Sequence, residues 1–151
     1  MQLTLIRHGE AIPAVHGQDT KRPLSPRGHA QAQQTAEFVA SKIQPDLFVV
    51  SPLLRAQETL IYLQHKFPQV PVLLCDAIKP EDDAAVAVEW LSKLPYESIV
   101  VVCHMNVVAY MEEILLEQYF NAFALAEARI YQQPVIARGL SIPQVAFVPS
   151  V

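Results

Sequence analysis

Four short apolar runs, LTLI (3–6), DLFVV (46–50), VPVLLC (70–75) and SIVVVC (98–103), punctuate the first two thirds of the chain, with helix-patterned segments between them. This alternation leaves few folds open. Neighbouring parallel strands need long crossover connections, and amphipathic helices supply them. The βαβα order predicts a three-layer α/β/α sandwich around a mostly parallel central sheet. SIVVVC is apolar at nearly every position, so it is expected at the sheet centre, covered on both faces.

The helix starts can be read as well. Ser25-Pro26 and Ser51-Pro52 each pair a capping residue with a proline suited to the first turn. The first helix presents Ala32, Ala36, Val39 and Ile43 on one face, the second Leu53, Ala56, Leu60, Leu63 and Phe67. Glu81-Asp82-Asp83 puts negative charge at the amino end of a third helix, with Ala84, Val88 and Leu91 inward. A fourth runs over about residues 106–118, with Val108, Met111 and Leu115 inward. EARIYQQPV (127–135) and PQVAFV (143–148) read as two further strands, expected at the sheet edges.

At 151 residues the chain fits one domain, 1–151, with one sizeable core. A net charge of −4 gives no electrostatic case for nucleic acid. No apolar run is long enough to cross a bilayer, and no secretory leader is seen, so a cytoplasmic protein is expected. Cys75 and Cys103 lie in apolar stretches and are expected as buried thiols rather than a disulfide.

Ligands of open α/β sheets bind beyond the carboxyl ends of the strands. There the first strand delivers Arg7-His8, the second leads through Ser51-Pro52 to Arg55, and the central strand ends in His104. A metal is disfavoured, because two guanidiniums beside the imidazoles would repel a dication. A Cys103–His104 dyad fails because adjacent strand residues point to opposite faces. Guanidiniums fork onto phosphate oxygens, and an unprotonated imidazole nitrogen can attack phosphorus. The set reads as a phosphate pocket holding a histidine nucleophile, with no metal and no cofactor.

The sequence resembles the histidine phosphatase superfamily, which includes phosphoglycerate-mutase-like enzymes. Arg7-His8-Gly9-Glu10-Ala11 is similar to its RHGE signature. DTKRPLSPRG (19–28), VVSPLLRAQET (49–59) and VVVCHMNVV (100–108) resemble segments of the SixA-type phosphohistidine phosphatases within it. The resemblance implies that His8 accepts the phosphate, that Arg7, Arg55 and His104 surround it, and that Arg22 adds a contact; in the expected mechanism His104 is protonated. It also implies a phosphoglycerate-mutase-like fold. Gly9 is expected to give a sharp turn beside the nucleophile, and Glu10 either joins the pocket or pairs with an arginine.

The general acid is the open position. Larger relatives carry a glutamate in an insertion after the third strand, and here that stretch is only DAIKPEDDAA (76–85), with Glu81 as candidate. An alkoxide leaving group needs a proton, whereas imidazole, with a reference pKa of about 6.5, leaves with less help. The expected substrate is therefore phosphohistidine on a partner protein such as a phosphotransfer domain, with inorganic phosphate as product. The alternatives are a small-molecule phosphomonoester phosphatase on the same scaffold and a non-catalytic phosphate-binding module. His29 and His65 are expected to face solvent, and His16 is placed in the loop before the RPL segment, where it could line the pocket mouth.

Overall fold

The computed structural model describes residues 1–14 and 16–151. Six strands, β1 (Gln2–Arg7), β2 (Leu47–Val50), β3 (Val72–Leu74), β4 (Ser98–Cys103), β5 (Ala128–Gln132) and β6 (Ile142–Phe147), form one sheet in the order β3-β2-β4-β1-β5-β6. β1, β2, β3 and β4 run parallel, joined by α1 (Pro26–Lys42), α2 (Leu54–Lys66) and α3 (Ala84–Ser92), while α4 (Val107–Leu116) follows β4. The sandwich and its mostly parallel sheet are as the sequence predicts.

Period-two alternation divides the core. Leu3 and Leu5 of β1, Leu47 and Val49 of β2, and Ile99 and Val101 of β4 face α3 and α4, meeting Val88, Leu91, Met111 and Leu115. Ile6, Phe48, Val50, Val100 and Val102 face the other layer, against Ala36 and Val39 of α1 and Ala56, Leu60 and Leu63 of α2. β4 is buried along its whole length, as expected of a central strand. Cys75 and Cys103 are free, buried thiols, and burial pushes Cys103 up to about 12.

Two expectations change. β5 is not an edge strand: it pairs antiparallel with β1 on one side and with β6 on the other, so β3 and β6 are the edges. Ala128–Tyr131 are buried, because β5 is roofed by neighbours that no local pattern encodes. Ser51, read as a helix cap, is not one. α2 begins at Leu54 behind Leu53, which makes no side-chain cap, whereas Ser25 caps α1 by accepting from the Gly28 N–H at 3.0 Å. The third helix start is sharper than expected, with Asp83 alone as the cap, its carboxylate accepting from the Ala85 N–H at 2.8 Å.

Candidate active site

The carboxyl ends of β1 and β4 are adjacent in register, Arg7 opposite Cys103, and the His8 N–H donates to the Cys103 carbonyl at 3.0 Å. That places His8 and His104 side by side, their rings 5.1 Å apart and tilted by 56°. Arg55, in the first turn of α2, reaches them from the end of β2, and its Nε donates to His8 Nε2 at 3.3 Å. Arg7, His8, Arg55 and His104, separated by up to 97 residues (104 − 7), meet at the carboxyl ends of the parallel strands.

The hydrogen bonds fix the tautomer of His8. An arginine nitrogen can only donate, so Nε2 must be an acceptor and the proton sits on Nδ1. Nδ1–H donates to the Gly9 carbonyl at 2.6 Å. Burial lowers His8 to about 4; the Gly9 bond opposes this, and the charges of Arg55, Arg7 and Arg22 add to the lowering. At neutral pH its Nε2 is an unprotonated lone pair amid cations.

His104 is fully buried, and its Nε2 shares a 2.7 Å hydrogen bond with the Ser51 hydroxyl, which also accepts from the Leu53 N–H at 3.2 Å. Ser51 stands two residues before Leu53, the N-cap, too early to cap α2, and its hydroxyl serves His104 instead. Burial, with repulsion from His8, Arg55 and Arg7, lowers His104 to about 2. The expectation of a protonated His104 is therefore corrected for the free protein: it is a neutral imidazole. Its Nδ1 and the Nε of Arg7 are buried and have no partner among the described residues. Buried polar atoms are ordinarily satisfied, so these two, at the carboxyl ends of β1 and β4, are left open to a polar ligand, whereas Thr4 Oγ1, likewise unpartnered, lies mid-strand in β1. Arg7 is otherwise held by one bond, from Nη1 to the Phe123 carbonyl at 2.8 Å.

The glycine of the signature does something other than expected, and the glutamate takes one of its two expected roles. Gly9 is needed for close approach rather than for a turn: a Cβ there would stand 2.7 Å from the Gly28 carbonyl oxygen at the start of α1. Its N–H donates to Thr59 Oγ1 at 3.0 Å, and that hydroxyl donates to the Arg55 carbonyl at 2.8 Å, so Thr59 ties β1 to α2. Glu10 is committed to α1, accepting from Ser25 Oγ at 2.7 Å and pairing with Arg27 at 3.5 Å. It follows the arginine-pairing reading, with Arg27 as partner.

Arg22 lies at the mouth, its Nε donating to the Ile12 carbonyl at 2.9 Å. The Asp19 carboxylate joins it to Arg55, at 3.1 Å from Arg22 and 3.3 Å from Arg55. Glu81 accepts from Asn106 Nδ2 at 3.2 Å, two residues beyond His104, so this candidate acid stands beside the end of β4. His16 and His65 are exposed, while His29 is half-buried and bonded to the Tyr62 hydroxyl at 2.7 Å. Among the described residues, no group of three or more His, Cys, Asp or Glu side chains is placed to hold a metal ion, and no helix is long and apolar enough to cross a membrane.

Asp19, Ser51 and Thr59 were missed as site residues. All three lie inside the segments that carry the family resemblance, but only the fold shows what their oxygens bind.

An α/β sandwich presenting a neutral histidine between a buried and a half-buried arginine at its strand ends has the features of a phosphate-handling protein. A family model described as Histidine phosphatase superfamily (branch 1) matches residues 3–79, just over half of the chain. The chain belongs to the histidine phosphatase superfamily, and its chemistry is of the phosphomonoester and phosphohistidine class.

Solved structures share the fold. A candidate phosphohistidine phosphatase SixA from Agrobacterium tumefaciens superposes with a TM-score of 0.86 at 19% identity, covering 98% of this chain and 97% of that one. The protein histidine phosphatase SixA complexed with tungstate gives 0.85 at 21% identity, with 98% and 97% covered. A phosphoserine phosphatase from Entamoeba histolytica in complex with 3-phosphoglyceric acid gives 0.72 at 17% identity, with 99% and 98% covered. No curated protein matches the chain in sequence.

Proposed function

We propose that the chain is a metal-independent phosphatase that removes phosphate from phosphohistidine on a protein partner, through a phosphohistidine intermediate of its own. The observation that carries the reading is the lone pair on His8 Nε2, kept unprotonated by burial and surrounded by Arg7, Arg55 and His104. A pocket that only bound phosphate would have no use for a neutral nitrogen at its centre.

The reaction runs in two steps. Nε2 attacks phosphorus in line with the leaving group; the new P–N bond forms as the old bond breaks, and the electron pair stays on the departing ring, which leaves as neutral imidazole because its other nitrogen already carries a proton. Water then attacks the phosphohistidine, releasing inorganic phosphate and restoring neutral His8. The long bond from Arg55 Nε is exchanged for a phosphoryl oxygen as substrate enters. Arg7 Nε and, with the Ser51 hydroxyl donating to Nε2, the Nδ1–H of neutral His104 supply the remaining donors, and such preorganised donors are the main source of rate in phosphoryl transfer. Arg22 holds the outer face of the phosphate.

The N–P substrate is favoured by the carboxylates around the site. Glu10 and Asp19 are engaged with Ser25, Arg27, Arg22 and Arg55. Among the described residues, none is hydrogen-bonded to either imidazole. Imidazole departs with less proton assistance than an alkoxide. The likeness in fold to the two SixA structures agrees with this choice. Glu81 beside Asn106 favours the second reading, a phosphomonoester phosphatase, because a carboxyl at the end of β4 could protonate an alkoxide.

Two measurements decide. Rapid quenching with labelled substrate should trap an acid-labile phosphate on the wild type and none on His8→Ala; label retained by the variant removes His8 as nucleophile. A turnover panel should then rank a phosphohistidine protein above sugar phosphates. Equal rates on a sugar phosphate would transfer the assignment to the second reading.

A further inference from the structure

Arg129 lies on β5, outside the pocket, yet its side chain is only 9% exposed and its guanidinium is almost fully engaged. Nε donates to Glu127 at 2.7 Å and Nη1 to Glu112, which also accepts from the Tyr131 hydroxyl at 2.8 Å. The remaining bonds go to one loop: Nη1 to the Asn121 carbonyl at 3.0 Å and Nη2 to the Ala122 carbonyl at 2.8 Å. The guanidinium also lies 3.8 Å from the centre of the Phe123 ring. Three successive residues of this loop are thus pinned by one side chain.

The next group along is the Phe123 carbonyl, the single hydrogen-bond partner of the Arg7 guanidinium among the described residues. Beyond it the loop closes on the signature dipeptide. Glu127 accepts from the Ala124 N–H at 2.8 Å, its carbonyl accepts from the Arg7 N–H at 3.1 Å, and the Ala126 N–H donates to the His8 carbonyl at 3.0 Å. A loop position set by Arg129 therefore sets where Arg7 points. We propose that Arg129 is a positioning residue for phosphate capture, acting through the Phe123 carbonyl on the Arg7 guanidinium.

A buried ion-pair cluster could instead serve only to hold β5 in the sheet. The two roles differ in whether the effect of Arg129 depends on Arg7. The inference rests on the phosphate-pocket reading. It is tested by a double-mutant cycle in kcat/KM on an aryl phosphate, using Arg129→Lys in the wild-type and Arg7→Ala backgrounds. Lysine keeps the charge facing Glu112 and Glu127 but has no fork for two carbonyls and no plane to stack on Phe123.

A displaced guanidinium should cost about 10²-fold in the wild-type background, and the same change should cost no more than about twofold once Arg7 is gone. Equal losses in both backgrounds, or no loss in the wild type, would overturn the role. If Arg129→Lys does not fold by circular dichroism, the neutralised variant E112Q/R129M/E127Q runs the same cycle. Failure of both variants to fold makes the cluster structural and also overturns it. Arg7→Ala with wild-type kcat/KM would overturn the pocket assignment itself, a result separate from all of these.

Discussion

Acid should destabilise this protein through its two active-site imidazoles, and the size of the effect follows from their burial. His8 and His104 bind a proton more weakly in the folded chain, at about 4 and about 2, than in the unfolded one, at about 6.5. The unfolded state therefore takes up protons first, and stability falls with pH. The contribution is complete above pH 6.5; it is lost as pH falls toward the folded values, first for His8 and, continuing lower, for His104. At pH 5 each site has given up about 2 kcal/mol, so the pair removes about 4 kcal/mol. That is a large part of the 5–15 kcal/mol typical of a domain. Urea unfolding at pH 8 and pH 5, compared between wild type and His8→Asn, measures it. The variant should lose about 2 kcal/mol less between the two pH values. If its pH dependence equals that of the wild type, the imidazole is not held neutral by the fold, and the argument for a lone-pair nucleophile goes with it.

Three further outcomes are expected. Gly28→Ala puts a Cβ 2.0 Å from the Glu10 carbonyl oxygen and should destabilise by at least about 1–3 kcal/mol in urea melts. Thr59→Val keeps the shape but strands the buried Gly9 N–H, a cost of about 1–3 kcal/mol by the same melts. Glu81→Gln should leave phosphohistidine turnover within about twofold of wild type; a loss of about 10² would make Glu81 a required general acid, as in the phosphomonoester reading.

The chain's own pattern determined the layers. Apolar strand runs separated by helical stripes admit one economical packing, and β4, apolar at nearly every position, reads as central. It also determined which chemistry meets at the strand ends, because a parallel sheet gathers the residues that follow each strand at one edge. Arg7, His8, Arg55 and His104 were therefore legible together, though no two of the three segments carrying them are neighbours in sequence.

What tertiary structure alone decided were the partners and the protonation. Ser51 reads as a helix cap because capping is a local preference, yet α2 starts only at Leu54 and the Ser51 hydroxyl is bonded to a buried imidazole 53 residues away (104 − 51). Gly9 reads as a turn, and its true constraint is a backbone nineteen residues away (28 − 9) pressing against it. β5 reads as an edge because its two neighbours arrive from opposite ends of the chain. His104 was expected charged from its anion-binding company, but burial outweighs that expectation in the free protein. Spacing encodes which groups can meet; their charge and hydrogen-bond partners depend on solvent exclusion and on contacts between distant segments, which exist only once the chain has folded.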